Sequence, residues 1–359
     1  MLGCCVVLGV FCRDAAGAAR PAADTAIDPL DLLPGKLQAV GHVDFEQLGQ
    51  ARLTAKFIGM LRKFAEQKVR YIEEFLSKGK VDPDNDLRSA ALGLEDFGSD
   101  GRPNGVVVVT GDFNSGALYR AIEELHPWGK VKRSAYKGHS LLRGEDGTLL
   151  GVLAGKVCVV GSEESVKKVI DIYKGDAKGE AKTSPLMARL KDAADKTFWF
   201  VADLNIPARP EGADSETAMM PGLDLSKIKA VAASGKFTAE AFDLKAVFDC
   251  GAAGPANALM GSLSQDMSMF VAMSNMATSG DLEDAKTVNR LLEGIRIDSE
   301  GAAAVIEINI TSELAEKLEP IVEKILQSRG PAGTMGRPGA GGMGPPGGGM
   351  MPTEGFGQE

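Results

Sequence analysis

Between Leu53 and Leu76 apolar residues recur at steps of three and four, at Leu53, Phe57, Met60, Leu61, Phe64, Ile72, Phe75 and Leu76. Lys, Arg and Glu fill the positions between them, which predicts an amphipathic helix ending at Gly79. On either side the period changes to two. Ala39–Phe45 and residues 87–94 alternate as strands, and GVVVVTGDF (105–113) is β-branched and continuous enough for a buried central strand. Asn114 or Ser115 caps a helix through Leu125, with Leu118, Ile122 and Leu125 facing inward. Three short strands are expected near 131–142, 147–154 and 156–160, separated by glycines. Ser162 caps a helix carrying Val166, Val169, Ile170 and Tyr173 on one face, Ser184-Pro185 opens another, and Thr197–Leu204 reads as a strand.

Residues 205–226 are rich in Pro, Gly and acidic residues and read as a linker between two halves. The second half starts with a hairpin, Lys229–Phe237 and Glu240–Cys250. Helices follow over 255–277 and 282–293, then strands over 294–299 and 302–310, and a last helix capped by Ser312. Neighbouring strands in hairpins with helices between them predict an α+β fold: two largely antiparallel sheets, each covered on one face by amphipathic helices. The expected domains are 37–204 and 227–328, preceded by a disordered lead at 19–36 and followed by a disordered Gly/Pro/Met-rich tail at 329–359. Within the tail Gly330, Gly333, Gly336, Gly339 and Gly342 keep a three-residue period, too short a run for a collagen helix.

Residues 2–12, LGCCVVLGVFC, form an apolar run followed by Ala16-Gly17-Ala18. That is the length of a secretory signal and its cleavage site, too short to span a bilayer, so residues 1–18 are expected to be a signal peptide. The expected location is exported, in the periplasm or cell envelope, with lipid anchoring through a cysteine as a variant. Beyond residue 12 no stretch is long and apolar enough for a transmembrane helix in the mature chain. Of five cysteines, cleavage after Ala18 would leave Cys158 and Cys250, too few for a disulfide-built scaffold. The formal net charge of −9 gives no footing for nucleic acid or an anionic membrane surface.

The motifs that resemble chemistry break down residue by residue. Asp82, Asp84 and Asp86 occupy the first offsets of a calcium loop, but Leu87 and Gly93 stand where that loop needs Gly and Glu. An acidic turn ahead of the strand at 87 is the better reading. His42, His126 and His139 are scattered, without metal-ligand spacing, so no metal is expected. Gly138-His139-Ser140 departs from a nucleophile elbow because Leu142 replaces the closing Gly. Gly155-Lys156 is followed by Val157 rather than Ser or Thr, and no G-x-G-x-x-G marks a strand-to-helix turn. Val160-Gly161-Ser162 leads into a helix N-terminus but reads as an ordinary junction. Glu123-Glu124, Glu145-Asp146 and Glu163-Glu164 are adjacent residues that point apart, so they are not acid/base pairs. No catalytic residue and no cofactor is expected.

One segment suggests binding. Met260, Met267, Met269, Met273 and Met276 crowd the 255–277 helix, and Met lines adaptable apolar grooves as well as filling cores. Met260, Met267, Phe270 and Met273 are the candidate ligand-binding residues. The set Asp82-Pro83-x-x-Asp86-Leu87, GVVVVTGDF, Tyr136-Lys137-Gly138-His139, GVLAGKVCVVGSEESVKKVID, SPLMARLKDAADKTFWFVADL and LLEGIRIDSEGAAAVIEINI resembles, across 39–327, a loosely defined group of uncharacterised exported bacterial proteins. The resemblance implies an envelope location and supplies no activity. The functional expectation is a non-catalytic exported protein with a structural or partner-binding role, its partner an envelope protein or a lipid. The alternatives are a carrier of an apolar, lipid-like ligand using the Met-rich helix, and a hydrolase whose site is assembled from distant residues.

Overall fold

The run GVVVV has no polar face, and the fold gives it none. A computed structural model describes residues 27–50, 66–97, 103–125, 128–190, 195–204, 227–277 and 282–328. The expected signal peptide at 1–18, the expected linker at 205–226, the expected tail at 329–359 and the first part of the helix expected from Leu53 lie outside them. Among these residues twelve strands form one sheet in the order β11-β12-β10-β9-β8-β1-β2-β3-β7-β6-β5-β4, every neighbouring pair antiparallel. In chain order they are β1 Ala39–Asp44, β2 Leu87–Phe97, β3 Pro103–Gly111, β4 Lys132–Tyr136, β5 His139–Arg143, β6 Leu149–Leu153, β7 Val157–Gly161, β8 Phe198–Asp203, β9 Ala230–Phe237, β10 Ala241–Asp249, β11 Ile295–Glu300 and β12 Ala303–Thr311. The helices are α1 Phe45–Gln50, α2 Glu66–Gly79, α3 Ser115–Leu125, α4 Glu163–Lys174, α5 Ala253–Ala277, α6 Leu282–Glu293 and α7 Ser312–Ser328.

The α+β, antiparallel character expected from the hairpins is present, but the strands form one sheet rather than two. The join is β8 against β9, with Phe198 opposite Gly235 and Val201 opposite Ala232. Gly235 is needed there because the Phe198 ring lies over it: a Cβ at 235 would sit within 2.3 Å of the ring's Cζ. Phe198, Phe237 and Phe242 cluster beside it, Phe237 and Phe242 with ring centroids 4.4 Å apart.

Covering on one face alone holds only for the β9–β12 part. There α5, α6 and α7 pack on one side, around Leu259, Ala304, Ile310, Leu314 and Leu318. Within the β1–β8 part the sheet is buried on both sides, except at its exposed edge strand β4. One face carries Leu92, Val107, Val109, Leu150 and Cys158 under α1, α2 and α3. The other carries Val40, Val106, Val108, Leu149, Val157 and Val159 under α4 and the N-terminal segment. Two-sided burial is why β3 and β6 read as unbroken apolar runs.

Part of the expected disordered lead belongs to this second core. Asp28 caps a 3₁₀ turn, Pro29–Leu32, through a 3.0 Å bond from the Leu30 amide, and Leu30, Leu32 and Leu33 are buried. Apolar side chains spaced along a short capped turn gain more from burial than the turn costs in chain entropy. The element expected after Ser184-Pro185 is a 3₁₀ turn, Pro185–Arg189, whose Arg189 bridges Asp203 (3.1 Å) and Asp249 (2.8 Å). The last helix is capped one residue earlier than expected, by the Thr311 hydroxyl accepting from the Leu314 amide.

Candidate functional site

The helix period of α2 and the strand period of β2, β3, β6 and β7 put two apolar surfaces face to face, and they do not close completely. Between them lies a cavity of about 360 Å³. Ile72, Phe75 and Leu76 line it from α2, Leu118 from α3, and Leu87, Val107, Val109, Leu150, Cys158 and Val160 from the sheet. Leu87, Val107, Val109, Leu118, Leu150 and Cys158 are buried, whereas Ile72, Phe75, Phe113 and Trp128 are half-buried and Tyr71 is exposed. The floor is therefore aliphatic and the rim aromatic. A volume in the range of small-molecule pockets, with mostly apolar walls and a few polar groups at one end, is the usual form of a ligand site.

The polar groups are few. Asp146 and Thr148 stand at the rim on the turn between β5 and β6, where the Asp146 carboxylate accepts from the Thr148 amide (2.9 Å) and hydroxyl (3.0 Å). On the floor, the Cys158 thiol is free, and burial pushes its pKa up to about 12, so it stays protonated and inert at neutral pH. Among the described residues that line it, none is Lys, Arg or His.

Neighbouring contacts fix the walls. Tyr119 of α3 donates its hydroxyl to the Ser140 carbonyl (2.6 Å) and accepts from the Val152 amide (3.1 Å), tying the helix to β5 and β6. Gly79 lets α2 approach α3: a Cβ there would come within 3.3 Å of Leu118 Cδ1. The turn of α2 into β2 is closed by residues 82–86. Asp82 accepts from the Asp84 amide and the Asn85 side chain, and Asp86 accepts from the Asp82 amide at 2.7 Å. The three aspartates suggestive of a calcium loop thus serve an acidic turn ahead of β2.

None of the described lining residues belongs to the Met-rich helix. Met260 and Met267 are half-buried and Met269 is exposed, while the side chains of Phe270 and Met273 lie outside the described residues. His139 and Ser140 are consecutive on β5 and so project to opposite sheet faces. His139 meets Tyr173 edge-on at 6.0 Å, and its Nε2 has no partner among the described residues. His42 stacks on Trp199 at 5.7 Å, and burial lowers its pKa. The α4 N-terminus is already supplied with an anion. Ser162 caps it, and the Ser165 hydroxyl donates to Glu95, which also pairs with Lys168. A second, open groove of about 680 Å³ lies near the β9–β12 end, and several of its charges are paired. There Lys245 pairs with Glu307 at 2.9 Å, Lys236 with Asp195 at 3.1 Å, and Asn309 donates to Asp243.

Sequence reasoning missed the cavity. Its aliphatic lining residues lie on periodic faces that read as core, and the local hint was the aromatic content around Tyr71, Phe75, Phe113 and Trp128.

No protein-family model matches the chain, and no curated protein sequence matches it. Solved structures resemble it at low identity. Crystal form III of TP0453 shares 11% identity with a TM-score of 0.47, covering 84% of this chain and all of that one. Crystal form IV of TP0453 shares 12% with a TM-score of 0.42, covering 83% of this chain and 97% of that one.

Proposed function

We propose that this chain is a non-catalytic protein of the cell envelope that holds an apolar ligand in the cavity beneath α2. The observation that carries the reading is the cavity itself, about 360 Å³ with an aliphatic floor and an aromatic rim. The space is partly open to the surface, and an apolar hollow of this size is the usual form of a small-molecule site. The envelope location draws on the apolar run at residues 2–12 and the Ala-Gly-Ala that follows it.

The cavity moves the ligand-carrier idea away from the Met-rich helix. A ligand seated on Val109 and Cys158 would touch α2 and α3 instead. The test is uptake of an uncharged fluorescent naphthylamine by the purified chain. Bright, saturable binding that is lost in Val109→Phe, with the fold retained by circular dichroism, is the expected result. Binding that is absent from the unaltered chain, or unchanged in the variant, overturns the proposal.

A further inference from the structure

Among the described residues the sheet ends at two strands with one neighbour each, β4 and β11. A strand edge is a row of N–H and C=O groups that another chain can bond. β4 carries Lys132 and Arg133 and no acidic residue, so a second copy of it brings no complementary charge. β11, Ile-Arg-Ile-Asp-Ser-Glu, carries both signs. Arg296, Asp298 and Glu300 are exposed on one of its faces, and Ile295, Ile297 and Ser299 share the other.

The hydrogen-bond pattern says which backbone groups face outward. The Asn309 amide donates to the Gly294 carbonyl at 2.9 Å, one step before Ile295 stands opposite Ile308. Bonded and non-bonded pairs alternate in an antiparallel ladder, so Arg296, Asp298 and Glu300 bond to β12. Ile295, Ile297 and Ser299 turn their N–H and C=O groups to the sheet's edge. Consistent with this, the Ser299 amide donates to the Asp298 carboxylate at 2.8 Å rather than to β12.

We infer that two copies of this chain pair through β11, antiparallel about a two-fold axis at Ile297. Outward-facing residues must meet outward-facing ones, which leaves axes at Arg296, Ile297 or Asp298 if most of the strand is to pair. An axis at Arg296 or Asp298 sets that charge against itself. The axis at Ile297 sets Arg296 opposite Asp298 of the second copy, and the two-fold makes this contact twice. It also sets Ile297 opposite Ile297 and Ile295 opposite Ser299. Opposite charges facing across antiparallel strands stabilise the pair, and like charges destabilise it. On pairing, the Ser299 amide exchanges the Asp298 carboxylate for the Ile295 carbonyl of the second copy, and Asp298 turns to Arg296.

The experiment is sedimentation equilibrium of the full chain over a concentration series, with Arg296→Asp, Asp298→Arg and their equimolar mixture. The unaltered chain is expected to associate reversibly to a dimer. Either variant alone replaces two opposite-charge pairs by two like-charge pairs and should weaken the dimer about tenfold or more. Both positions are exposed, so circular dichroism should show the fold retained. The mixture restores both opposite-charge pairs between unlike chains and should dimerise to within about threefold of the unaltered chain. A chain that stays monomeric at every concentration overturns the inference, as does a dimer that neither variant weakens. Variants that weaken the dimer without recovery in the mixture overturn the pairing about Ile297.

Discussion

Cys158 stands directly opposite Val109 in the β3–β7 ladder, and the two side chains share the floor of the apolar cavity. The pair places a protonated thiol where a guest would lie, and the thiol becomes a reporter on the site.

At neutral pH the Cys158 thiol should react with a small uncharged alkylating reagent on the order of a thousandfold more slowly than in the denatured chain. The cause is burial, which raises its pKa to about 12. A bound apolar guest should slow the reaction further. Mass spectrometry of alkylated peptides reads both effects, and rapid labelling of the native chain would contradict them.

The same shift sets a pH dependence. The folded thiol holds its proton more tightly than the unfolded one, so the stabilisation is complete below the unfolded pKa of about 8.5 and is lost as pH rises toward 12. Denaturant melts should show stability falling above about pH 9, with a shallower fall in Cys158→Val. Equal slopes would show that Cys158 is not buried as described.

Among the described residues three non-glycine positions at turns take left-handed backbone, Lys80, Lys137 and Ala154, and two of them bear on stability. Lys80 follows α2 at φ 52°, and Ala154 stands at φ 47° with Gly155 in the three-residue turn from β6 to β7. Such residues pay a steric cost that Gly, and Asn in this turn type, avoid. Lys80→Gly and Ala154→Asn should each raise stability by about 0.5–1 kcal/mol in chemical denaturation. A loss in either variant would show that the turn is not left-handed there.

The β8–β9 join makes one sheet of two halves, and Gly235 under Phe198 is its tightest point. Gly235→Ala should cost about 1–3 kcal/mol, through displacement of the ring, and part of this should be recovered in combination with Phe198→Leu. Additive losses in the double variant would contradict the contact.

Much of the fold was legible because local period reports local burial. Val106–Val109 read as a central strand since β-branched runs without polar positions need both faces covered. Ser162 and Asn114 announced their helices by chemistry at the cap, with Asn114 accepting from the Ala117 amide. The single sheet was not legible, because the pairing of β8 with β9 spans a Pro/Gly-rich acidic segment whose composition says linker. Leu30, Leu32 and Leu33 were lost inside an Ala/Pro-rich lead, although Asp28-Pro29 is a cap followed by Pro at the first position of a turn. The cavity could not be read from the chain at all. Leu76, Val109, Leu118 and Leu150 look like core whether or not the space between them is filled, and Met composition drew attention to α5, none of whose described residues lines it.

Native mass spectrometry of the chain purified from its own host bears most directly on a ligand under α2. A lipid-sized mass that leaves on gentle activation, and that is missing from Val109→Phe, is the predicted result. A bare chain from both proteins, with Cys158 equally reactive in each, would contradict it.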